Sequence, residues 1–130
     1  MIYYMKYSKH HSLLTEKAIG YAISMMPEGG TIWLIFADRN TIRSHFDFDQ
    51  KLHNVSDELF NDKKVKISKK VDLAASVIGN KHNIDNGDIV IDVYIGNLYR
   101  IQKMGGAHTI HLPWLESESE TLAEYYDELI

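Results

Sequence analysis

The chain contains no cysteine in its 130 residues. That excludes a disulfide scaffold and any thiolate-ligated zinc or iron–sulfur site, and it suits a reducing compartment. Long apolar runs are also missing. None approaches the roughly 20 residues needed to cross a bilayer, so no membrane association is expected. The first residues, Met-Ile-Tyr-Tyr-Met-Lys-Tyr, lack a basic segment followed by an apolar one, so no signal peptide is expected and the location predicted is cytoplasmic. Positive charge is in deficit, with 14 Lys and Arg against 18 Asp and Glu and a net charge of -4. General affinity for nucleic acid is therefore not expected. The phosphate-binding, dinucleotide, metalloprotease, nucleophile-elbow and calcium-loop motifs are all absent, and no cofactor is predicted.

What remains is ordinary for a globular protein: 45% hydrophobic and 25% charged residues, in one domain spanning 1–130. The most informative stretch runs from Gly87 to Trp114. Gly96-Asn97 and Gly105-Gly106 cut it into three runs rich in Ile, Val, Tyr and Thr. The pattern predicts a three-stranded antiparallel meander over about 88–112. Its apolar face would carry Ile91, Val93, Ile95, Tyr99, Ile101, Ile110 and Leu112. The opposite face would place Tyr94, Arg100 and His111 in one row and Asp92, Gln102 and Thr109 in the next.

Elsewhere a strand is expected over 2–7, a helix over 12–26 and a central strand over 31–37, apolar on both faces. Residues 42–49 alternate strictly and predict a further strand, followed by a helix over 50–60. Val65 and Ile67 predict a small edge strand, and residues 73–78 a short helix that Asp72 could cap. The acidic C-terminal segment predicts a helix from Ser117 to about Leu129, with Asp127 and Glu128 opposing its dipole. The fold class predicted is α+β: a mostly antiparallel sheet with helices packed on one face.

Three groups of residues are candidates for function. Tyr94, Arg100, His111 and Asp92 form a polar strip on the meander, suited to recognition because Tyr and Arg are frequent interface anchors. His45, Asp47 and Asp49 would project together from an extended segment. They could hold a divalent metal, or His45 and Asp47 could act with His111 in acid–base catalysis. Lys63, Lys64, Lys66, Lys69 and Lys70 hold five of the 14 basic residues and could contact phosphate, but no aromatic is interleaved among them.

The function expected is that of a small acidic binding protein, of the inhibitor, immunity or regulatory kind, acting through protein or small-ligand recognition. The alternative is a small hydrolase of phosphoesters or nucleotides with a His/Asp site. A protein partner or a homo-oligomer is expected, because complementary charged segments steer association.

Overall fold

The computed structural model describes residues 1–47, 53–79, 83–93 and 105–130. In chain order the elements are β1 (Ile2–Met5), α1 (His11–Ser24), β2 (Gly30–Phe36), α2 (Arg39–Asp47), a short 3-10 turn (His53–Val55) leading into α3 (Ser56–Phe60), β3 (Val65–Lys66), β4 (Val71–Val77), β5 (Ile89–Val93), β6 (His108–Leu112), α4 (Glu116–Ala123) and β7 (Asp127–Leu129). The strands form a single seven-stranded sheet in the order β3-β4-β2-β5-β6-β1-β7. Every pairing is parallel except that of β3 with β4. No described helix is long and apolar enough to cross a membrane.

The central strand is the one the sequence announces. β2 lies between β4 and β5, and Ile32, Leu34, Ile35 and Phe36 are fully buried. Its alternate residues enter different clusters. Ile32, Leu34 and Phe36 join Leu14, Ala18 and Ala22 of α1, Ile42 of α2 and Leu59 of α3. Trp33 and Ile35 join Ala74 and Val90 in a smaller cluster on the other face, with Ile78 and Ile84 packed against it. Near-continuous apolarity of this kind is the signature of a parallel strand covered on both sides.

The expected α+β class holds, but the mostly antiparallel sheet does not. β5 and β6, the first and last runs of the expected antiparallel meander, pair directly and in parallel with no strand between them, Ile89 opposite His108 and Val93 opposite Leu112. A period-2 pattern fixes which residues share a face and says nothing of strand direction. The Gly105-Gly106 pair misleads for a definite reason. Both residues have positive φ, 92° and 93°, as a hairpin turn would require. Here Gly106 instead passes close over the start of β5, where an added Cβ would come within 2.9 Å of the Asp88 carbonyl oxygen. The expected strand pairings across Gly96-Asn97 lie outside the described residues.

Three further expectations are corrected. Residues 39–47 form helix α2, not a strand. The Asp38 carboxylate accepts hydrogen bonds from the Thr41 amide and hydroxyl, both at 2.9 Å, and so caps the helix start. Residues 71–77 form β4, not a helix; Val71 to Val77 pair along the whole of β2. At the C-terminus the helix ends at Ala123, and Asp127–Leu129 pair with β1 as an edge strand. Two carboxylates at a helix C-terminus oppose its dipole, and strand β7 avoids that conflict.

Helices cover both faces of the sheet, not one. Ile110 and Leu112 of β6 face the α1 layer. His111 alternates with them and so faces the opposite side, where Ser117 and Thr121 of α4 line a cavity with it.

Candidate functional site

Parallel pairing puts the C-terminal ends of β5 and β6 side by side. Asp92 is the register partner of His111, and both project from the face that α4 covers. Their side chains meet, with His111 Nδ1 2.8 Å from Asp92 Oδ2. Each residue is only 1% exposed. The Tyr126 ring lies against the imidazole, centroid to centroid at 5.8 Å.

This geometry sets the chemistry of the ring. In the tautomer whose Nδ1–H donates to that carboxylate, Nε2 is the acceptor nitrogen. His111 Nε2 is buried and has no hydrogen-bond partner among the described residues.

Asp92, His111 and Leu112 form one wall of a cavity of about 200 Å³; Ser117, Glu118 and Thr121 of α4 form another. Glu118 reaches back to accept a hydrogen bond from the Trp114 amide at 2.8 Å, and the Thr121 hydroxyl donates to the Ser117 carbonyl at 3.2 Å. Two carboxylates line the cavity, and no Lys or Arg does among the described residues.

The sequence-derived candidates are distributed unevenly. Asp92 and His111, expected in adjacent rows of one strip, are in direct contact. Tyr94 and Arg100 lie outside the described residues. His45 packs edge-on against Phe36, ring centroids 5.6 Å apart, on the α1 side of the sheet. It is therefore not brought together with His111. Residues 39–47 are helical, so the extended segment expected to align Asp47 with His45 is not formed, and the Asp47 side chain lies outside the described ones. Asp49 lies outside the described residues. Among the described residues no group of three His, Asp or Glu side chains could hold a metal ion. Ser117, Glu118 and Thr121 were not legible as site residues. The only local signal at Ser117 is its capping-box spacing to Glu120, and nothing local pairs α4 with β6.

No protein family, curated protein or solved structure matched the chain. The functional reading therefore rests on the geometry.

Beside the cavity, Trp114 stacks on His11 at 4.2 Å between ring centroids, and Tyr7 meets the same imidazole edge-on at 6.2 Å. Burial among these rings holds the His11 pKa below its ordinary value. The unfolded chain therefore takes up this proton first as pH falls. The stabilisation is complete above the unfolded value of about 6.5 and is lost progressively below it. The melting temperature is expected to drop between pH 7.5 and 5.5, and His11→Phe, which keeps a ring in place, should reduce that drop. An identical pH slope in His11→Phe would refute this assignment.

Proposed function

We propose that the protein is a binding protein that recognises a compact polar ligand in the cavity between the ends of β5 and β6 and the first turns of α4. The observation that carries this reading is the buried Asp92–His111 pair, with Nε2 unpartnered among the described residues, in the wall of that cavity. Two arguments support it. Open parallel sheets bind ligands outside the carboxyl ends of their strands. A buried ionisable pair also carries a desolvation cost that packing alone gives no reason to accept.

The lining suggests what kind of ligand fits. A volume of about 200 Å³ falls below the ~300–1,000 Å³ typical of drug-sized sites, so the ligand is compact. The polar lining is rich in acceptors: carboxylate oxygens, hydroxyl oxygens and the imidazole Nε2. That favours a ligand rich in donors, a hydroxylated or amine-bearing molecule, over a phosphate.

The test is a titration of compact polyols, amines, carboxylates and phosphates followed through the backbone amide resonances of His111, Ser117 and Thr121. Saturable shifts with a donor-rich member are expected, and Thr121→Trp, which fills the cavity, should abolish them. Saturable binding that survives Thr121→Trp would place the site elsewhere. No saturable shift with any member would end the proposal.

The Asp–His geometry favours one second reading. A histidine oriented by a carboxylate through Nδ1 is the arrangement of a general base, so His111 could activate water in a hydrolase. Ester turnover that vanishes in His111→Phe would support that reading. Phosphoester substrates suit it less, since no cation lines the cavity among the described residues.

A further inference from the structure

The lysine-rich and the glutamate-rich segments end up at opposite edges of the sheet. β3 is one edge strand and β7 the other. Six inter-strand steps of about 4.8 Å separate them by roughly 29 Å, whereas charges are screened over about 8 Å at physiological salt. Within one chain the two clusters exert almost no attraction on each other.

Each edge is also exposed. On the basic side, Lys63, Lys66, Lys69 and Lys70 are exposed around β3, and the nearest carboxylate to the Lys66 ammonium is Asp72 at 3.8 Å. On the acidic side, Glu124, Asp127 and Glu128 are exposed around β7. Two large apolar side chains flank them, Tyr125 at 70% and Ile130 at 88% exposure. The aliphatic stems of the opposing lysines are suited to cover such groups.

We propose that the protein associates with further copies of itself edge to edge, the basic β3 edge of one copy meeting the acidic β7 edge of the next. Like edges repel, since lysines at β3 oppose β3–β3 pairing and carboxylates oppose β7–β7 pairing. If the sheets share a direction, β3 of one copy runs antiparallel to β7 of its neighbour, because β3 alone is reversed within its own sheet. The two surfaces are different, so the contact is heterologous. It leaves a basic edge at one end and an acidic edge at the other, and it does not stop at a two-fold dimer. With edge strands of two and three residues, few backbone bonds can form, so the contact is weak and dominated by charge.

Sedimentation velocity over a range of protein concentrations tests this. In low salt the weight-average mass should rise past the dimer, and about 0.5 M salt should return it to the monomer. Lys63→Gln/Lys66→Gln neutralises the basic edge, and Glu124→Gln/Asp127→Asn neutralises the acidic one; all four positions are exposed, so both variants should keep the wild-type circular dichroism spectrum. Each variant alone should be monomeric. An equimolar mixture presents one intact edge of each kind and should stop at a one-to-one dimer. A wild-type protein that is monomeric at every salt concentration, an assembly indifferent to salt, or a mixture that stays monomeric or grows past the dimer would each overturn the proposal.

Discussion

Asp88→Ala is expected to destabilise the fold by about 3–5 kcal/mol, measured by urea denaturation. Asp88 is buried at the N-terminal ends of the central strands. Its Oδ1 accepts the Thr31 amide at 2.9 Å. Its Oδ2 accepts the Trp33 indole N–H and the Asp85 amide, each at 3.0 Å. Its carbonyl accepts the Ala107 amide at 2.7 Å, where the chain approaches β6 beside Gly106. One residue thus ties together the starts of β2, β5 and β6 and orients the largest side chain of the second apolar cluster. Removing the carboxylate leaves two buried donors and one half-buried donor, each buried one at a cost of about 1–3 kcal/mol, while water can reach the Asp85 amide. Domains of this size are stable by about 5–15 kcal/mol in total, so the variant should melt on the order of 10 °C or more below wild type. Asp88→Asn keeps one carbonyl oxygen but turns an amide NH2 toward a donor, and its stability should fall between those of wild type and Asp88→Ala. An Asp88→Ala protein within 1 kcal/mol of wild type would show that these bonds are replaceable by water.

Asp88 also marks the limit of what single-sequence reading could reach. Its role depends on which strands lie beside β5, and that is a matter of topology. The features fixed by local chemistry were legible. Helix α1 shows its apolar stripe from Leu14 to Ala22, β2 shows apolar residues on both faces, and the lysines around Val65 mark an edge. What failed was whatever needed strand direction or a choice between two local signals. Residues 42–47 satisfy both a period of 2 and the i, i+4 spacing of Ile42, and the Asp38 cap settles the matter in favour of a helix. Ala74 and Ala75 favour a helix intrinsically, but the full length of β2 is available to pair with them. The candidate site was half legible. Asp92 and His111 are recognisable in the sequence as polar residues on one sheet face, but their direct contact follows from parallel register, and the α4 wall of the cavity carries no sequence motif.

The second large effect concerns that contact. Asp92→Val and His111→Phe are each expected to cost about 2–3 kcal/mol, because each removes one side of a buried hydrogen bond. The combined apolar replacement Asp92→Val/His111→Phe should cost much less than the sum of the singles, since no unpaired charge remains and the volume is largely kept. The single and double variants therefore separate two roles that a lone substitution confounds. If the pair serves stability, the double variant should remain about as unstable as either single variant. If it serves the cavity, the double variant should fold near wild-type stability and fail to shift the Ser117 and Thr121 amides with any ligand that the wild type binds. Strictly additive losses in the denaturation cycle would show that the two side chains do not act as a unit. A well-folded double variant that still binds would remove Asp92 and His111 from the site while leaving the cavity in place. The favoured outcome is a stable protein that no longer binds, because a buried imidazole nitrogen with no hydrogen-bond partner among the described residues lies in the wall of the cavity.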